Sequence, residues 1–147
     1  MKKIYDLSVM LEENPEYAKK IQALTLNEAK PFLGLKGVFG LFGSTQWWDN
    51  IKNKVTPQEE IEGVITKIYR TGQDNTEQYN TIEILCDNKK TAIEGMYANK
   101  KSDKALYKPG AKIKIKYVIE PLKDQPASDG PQNNIKTVLE VYLSTQH

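Results

Sequence analysis

The stretch Leu106-Tyr107-Lys108-Pro109-Gly110-Ala111-Lys112-Ile113-Lys114-Ile115-Lys116-Tyr117 stops a helix with Pro-Gly and then alternates apolar and basic residues at the strand period. The alternation places Ile113, Ile115, Tyr117 and Ile119 on a core-facing side and Lys112, Lys114 and Lys116 on the outward side. It therefore fixes a strand and gives it a lysine face, which meets either a polyanion or water.

Strand grammar extends on both sides of this stretch. Ile61 to Arg70 is β-rich, but its apolar phase slips from Ile61, Gly63 and Ile65 to Ile68, which predicts a bulged or strongly bent strand. Gly72, Asp74 and Asn75 mark a turn-forming loop, Asn80 to Cys86 alternates, Asp87-Asn88 reads as a turn, and Thr91 to Tyr97 reads as a third strand. Ser102 as N-cap and Asp103 in a first turn predict a short helix to Tyr107. After the lysine-faced strand comes a polar loop, Glu120 to Asn134, and then Thr137 to Leu143 with Leu139, Val141 and Leu143 on one face. The predicted fold class is mainly β (α+β): a small five-stranded barrel in residues 59–147, preceded by an arm in residues 1–58.

The arm reads as helical and then irregular. Ile4, Leu7 and Leu11 repeat at helical spacing, and after Asn14-Pro15 so do Tyr17, Ile21 and Leu24. Thr25 and Glu28 have capping-box spacing, which predicts one further helical turn before Pro31 and Gly34. Gly34, Gly37, Gly40 and Gly43 then recur every third residue between large apolar side chains, too glycine-rich for a stable helix. Such a segment either adheres to a partner or membrane surface or closes over the domain, burying Phe39, Phe42, Trp47 and Trp48. The second reading is favoured, because large apolar patches are rarely left exposed.

Three strands, a helix and two more strands, with the first strand bulged, resemble the OB-fold in element order from about Glu59 to Ser144. An SH3-like barrel would use the same five strands. The OB resemblance implies that Asp74, Glu77, Asp124 and Asp129 lie at one barrel end, on loops flanking the binding face. Leu41-Phe42-Gly43-Ser44 with Trp47-Trp48, Gly72-Gln73-Asp74, and Pro121-Leu122-Lys123 with Pro126 are similar to segments of an uncharacterised family of small bacterial proteins. That resemblance implies no activity, and the helical arm before Phe32 lies outside it.

Composition narrows the function by exclusion. A chain of 147 residues suits one modest domain with an extension, and a net charge of +2 supplies no global drive toward nucleic acid or membrane. Arg70 is the sole arginine among 21 basic residues, which disfavours sequence-specific DNA reading. Cys86 is the sole cysteine, so no intramolecular disulfide or thiolate cluster forms and a reducing compartment fits. Met1-Lys2-Lys3 is like a signal n-region, but Asp6 and Glu12-Glu13 interrupt the apolar run that follows, so an uncleaved, cytoplasmic protein is expected. The least charged stretch, Pro31 to Trp48, carries Lys36 and four glycines and predicts no membrane span.

The catalytic inventory is thin. His147 is the sole histidine and sits at the C-terminus, which excludes an internal Ser-His or Cys-His pair and a multi-histidine metal site. Cys86 follows Ile82 and Ile84 at strand period and reads as a small buried hydrophobe. Asp74, Glu77, Asp124 and Asp129 are the remaining acid-base candidates, and four acids in turn-rich loops are more often solvated than catalytic. No enzyme activity, cofactor or metal is expected.

Charge asymmetry is the sharpest functional clue. Between Asn88 and Lys116 stand nine lysines against Glu94 and Asp103. Lys100, Lys101, Lys104, Lys108, Lys112, Lys114 and Lys116 are candidate polyanion contacts, with Tyr97 and Tyr107 able to stack on bases of a single strand. The usual OB binding face instead offers Asp74, Glu77, Glu83, Glu94, Asp124 and Asp129, so a solvated outer strand is favoured over nucleic acid; an acidic protein partner is a third reading. The expected function is a non-enzymatic interaction module that binds protein, with Phe39, Phe42, Trp47, Trp48, Asp124 and Asp129 as candidate partner contacts. The alternative is nonspecific single-stranded nucleic-acid binding, and a remote one is a carboxylate- or metal-dependent enzyme.

Overall fold

The computed structural model describes residues 1–70, 79–124 and 134–145. In chain order the elements are β1 (Lys2–Asp6), α1 (Leu7–Glu13), α2 (Pro15–Leu26), α3 (Thr45–Lys52), β2 (Gln58–Tyr69), β3 (Thr81–Cys86), β4 (Thr91–Gly95), a 3-10 helix (Lys101–Leu106), β5 (Lys112–Pro121) and β6 (Asn134–Leu143). The fold is mainly β, as the strand grammar after Glu59 requires. Among the described residues the sheet has six strands rather than the expected five, in the order β1-β6-β5-β2-β3-β4.

The sixth strand is β1, where helical spacing from Ile4 was expected. Ile4 and Tyr5 are consecutive and both buried, which no single helix stripe or strand face alone explains. A register shift between Lys3 and Tyr5, where β1 pairs antiparallel with β6, turns both inward. The helical turn expected after Thr25 is also absent: α2 ends at Leu26, and the Thr25 hydroxyl donates back to the Ile21 carbonyl (3.2 Å).

The chain forms two compact units, one from Met1–Asp6, Glu60–Lys116 and Leu139–His147, the other from Leu7–Glu59 and Tyr117–Val138. In the first unit, Ile65, Ile82, Ile84, Ile113, Ile115, Val141 and Leu143 are all buried. The phase slip expected in β2 is present, as a register shift between Ile65 and Lys67 opposite β3. Gly63 permits the close approach of these strands. A Cβ there would lie 2.3 Å from the Leu85 carbonyl oxygen and 2.9 Å from Cys86 Cα, both backbone atoms. Gly63→Ala is expected to cost about 1–3 kcal/mol through this overlap, read as a lower urea midpoint.

In the second unit, burial centres on Leu7, Leu35, Phe42, Trp47, Tyr117, Val118 and Val138. The glycine repeat is its conformational key, since Gly34, Gly37, Gly40 and Gly43 all take positive φ and turn the chain at each step. At Gly40 (φ +100°) a Cβ would also lie 3.0 Å from the Trp47 backbone nitrogen, so the turn and the tight seating of α3 both require glycine.

β5 follows the expected alternation only as far as Tyr117. Ile113, Ile115 and Tyr117 are buried, but Val118 and Glu120 are then buried in place of Ile119, which is half-exposed. The expectation that Ile119 faces the core is thus corrected. Within the second unit the opposite face of the strand is the covered one, and a carboxylate goes inside.

Candidate functional site

The aromatic arm forms a ladder inside the second unit. Ser44 caps α3 by accepting from the Trp47 backbone N–H (3.2 Å), and this sets the Trp47 ring edge-on between Phe42 (centroids 4.9 Å apart) and Trp48 (4.8 Å). Tyr17 of α2 adds an edge contact to Phe42 at 6.1 Å. Side-chain amides pin the irregular backbone: Gln22 Nε2 donates to the Phe42 carbonyl (2.7 Å) and Asn50 Nδ2 to the Phe39 carbonyl (2.9 Å). Of the four aromatic candidates, Phe42 and Trp47 are core residues, whereas Phe39 and Trp48 keep partly exposed surface.

Phe39 borders a groove of about 490 Å³ lined also by Lys36, Val38, Pro57, Ile119, Pro121 and Asn134. Part of the lining comes from the end of β5 and from the residues leading into β2, where the Ile119 N–H donates to the Pro57 carbonyl (2.8 Å). Sequence reasoning missed most of this lining, because only the phase break in β5 turns Ile119 outward. Asp124 is exposed and pairs with Lys36 at 3.4 Å. Asp129, like Asp74, Glu77 and His147, lies outside the described residues.

Lys123 has a structural role. Its ammonium donates to the carbonyls of Leu24 (2.7 Å), Lys30 (3.1 Å) and Asn27 (3.5 Å), so it closes the C-terminal end of α2. Lys123→Met is expected to cost about 1.5–3 kcal/mol, since it removes charge-assisted bonds and strands their acceptors; chemical denaturation reads the loss.

The second unit also buries three polar atoms without a hydrogen-bond partner among the described residues: Trp47 Nε1, Thr56 Oγ1 and Glu120 Oε1. Burial raises the Glu120 pKa above the ordinary glutamate value, and the Trp47 indole N–H pulls it partway back without reaching good hydrogen-bond geometry.

In the first unit the lysine-faced strand is partly engaged. Lys114 pairs with Glu60 at 3.4 Å and its ammonium lies 5.3 Å from the Tyr142 ring centroid; Lys116 lies 5.9 Å from the same ring, and Lys112 is exposed. The Tyr142 hydroxyl donates to Glu140. Lys100, Lys101 and Lys104 are exposed around the 3-10 helix, and Lys108 follows it half-buried. Tyr107 is not available to stack on bases. It is buried, its hydroxyl donates to the Tyr97 carbonyl (2.7 Å), and burial pushes its pKa up. Cys86 is likewise buried, and desolvation raises its thiol pKa, with Asp87 adding to the shift. Among the described residues no helix is long and apolar enough to cross a membrane.

A protein-family model described as the immunity protein RhsI2 matches residues 1–144. The chain belongs to the RhsI2 immunity protein family. No curated protein matches it. Membership in an immunity family implies a protein partner, in line with the interaction module expected from sequence. In this RhsI2 family member Phe39 is partly exposed beside the groove, and Lys100, Lys101, Lys104 and Lys112 of the first unit are exposed.

Proposed function

We propose that this chain is a non-enzymatic inhibitor that neutralises an Rhs toxin by binding it directly. The observation that carries the reading is the family match, which extends through both compact units rather than over one fragment. The physical features agree with it. Cys86 is buried with a raised pKa, so its thiol is poorly placed for nucleophilic chemistry. The neighbour order β6-β5-β2-β3-β4 supports an OB-type arrangement for the five-stranded part, a scaffold that presents loops and strand faces to macromolecules.

Co-expression tests the reading. A host producing an Rhs toxin domain is expected to stop growing, and the chain supplied in trans is expected to restore growth for its cognate toxin while failing with unrelated ones. Growth arrest that persists with every Rhs toxin domain tried, despite soluble chain, contradicts it.

A further inference from the structure

The two edges of the sheet are treated differently. At β1 the remaining edge is occupied: the Asn99 N–H donates to the Ile4 carbonyl (3.0 Å), its side-chain oxygen accepts from the Asp6 N–H (2.7 Å), and its amide nitrogen donates to the Asp6 carbonyl (3.1 Å). Lys2 and Lys3 further charge that strand. Among the described residues no hydrogen bond covers the outer edge of β4 in this way. Its sequence, Thr91-Ala92-Ile93-Glu94-Gly95, contains neither lysine nor proline, the residues that commonly defend an edge.

Register shows what this edge offers. The Cys86 N–H donates to the Lys90 carbonyl (2.8 Å), so the next hydrogen-bonded pairs are Ile84 with Ala92 and Ile82 with Glu94. The backbone N–H and C=O groups of Thr91, Ile93 and Gly95 therefore point away from β3. An apolar strip adjoins them. Val64 pairs with Leu85, Ile93 lies diagonal to Leu85 on the same face, and these three are 38%, 45% and 53% exposed.

Charge then selects the occupant. Lys89 and Lys90 precede β4, Lys100 and Lys101 follow it, all four are exposed, and none makes an ion pair among the described residues. A second copy paired along β4 would set these lysines beside their counterparts. An extended segment with an apolar residue near Ile93 and carboxylates toward its ends would satisfy both the backbone groups and the lysines.

We propose that β4 takes an acidic-flanked, extended segment of the partner toxin as an added strand. This deepens the toxin-binding reading and rests on it. The lysine cluster then guides and fixes that segment, which gives the charge asymmetry of residues 88–116 a protein ligand.

The test uses the toxin domain that the chain neutralises on co-expression, the full-length chain and two variants. Ile93→Pro deletes an outward N–H without touching the β3 ladder, and is expected to weaken binding about a hundredfold with the melting transition retained. The quadruple variant Lys89→Glu, Lys90→Glu, Lys100→Glu, Lys101→Glu is expected to weaken binding about tenfold or more at low salt, by an amount that shrinks as salt rises. In the wild-type chain, toxin is expected to slow amide hydrogen exchange at Thr91, Ile93 and Gly95, and this readout stays decisive if Ile93→Pro does not fold. Neutralisation by the wild type with unchanged exchange at these amides overturns the inference and leaves the toxin-binding reading standing. Concentration-dependent protection in the chain alone assigns the edge to a second copy and also overturns it. Failure of the wild type to neutralise any toxin overturns both.

Discussion

Trp47→Ala is expected to destabilise the chain by about 3–5 kcal/mol, the range for emptying a buried tryptophan site. Trp47 is fully buried, and both of its ring neighbours, Phe42 and Trp48, lose their edge contact together. The surrounding backbone has little freedom to collapse into the space, because the turn at Gly40 and the amide anchors from Gln22 and Asn50 hold the arm where it is. Urea unfolding monitored by far-UV circular dichroism measures the loss. Trp48→Ala serves as the comparison: that ring is partly exposed, and a smaller loss is expected. Equal losses at the two positions would show that the ladder is not centred on Trp47.

Glu120→Gln is expected to stabilise the protein at neutral pH by about 1–3 kcal/mol, the cost of a buried polar group left unsatisfied. The sign follows from linkage. The folded-state pKa of Glu120 is raised above its ordinary value, first by burial, so the native state holds the proton more tightly than the unfolded chain does. The favourable contribution of the protonated side chain is complete below the unfolded pKa and is lost as pH rises through the folded one. Above that window wild type carries the full penalty of a charged, buried carboxylate and the glutamine variant does not. Paired urea titrations at neutral pH and near pH 4 are expected to show a gap that closes on acidification. A gap independent of pH would mean that Glu120 is not the titrating group, and a destabilised variant would mean that its carboxylate is better satisfied than the geometry indicates.

These two residues mark where sequence reading stopped. The strands from β2 to β6 were legible because alternation, turn residues and a bulged first strand are local signals, and the register shift between Ile65 and Lys67 is the phase slip seen in the sequence. β1 was not legible. It is five residues long, its bulge breaks the alternation, and its partner β6 stands at the opposite end of the chain. Nor was α3 recognised, although Ser44 before Trp47, Trp48 and Ile51 carries both a cap and helical spacing; the glycines just upstream masked it. Those glycines proved informative in another way, since an interval of three among apolar residues encodes successive left-handed turns.

The candidate surfaces were less legible than the fold. The lysine segment was found from charge alone, but its division into engaged lysines, such as Lys114 on Glu60, and those flanking β4 that make no ion pair among the described residues needed the three-dimensional register. Glu120 gave no local sign of burial, because a glutamate after Ile119 and before Pro121 reads as the start of a loop. The protein partner rests on the family match, for no motif in the chain names a toxin.

Binding that is stoichiometric rather than catalytic is the core of the proposed function. The most direct measurement titrates a fixed amount of the cognate toxin domain with the purified chain, following heat of binding and residual toxin activity in the same samples. Activity is predicted to fall in step with occupancy and to vanish at equimolar chain. Loss of activity at a small fraction of equimolar chain would indicate turnover, and persistent activity without binding heat would contradict the account altogether.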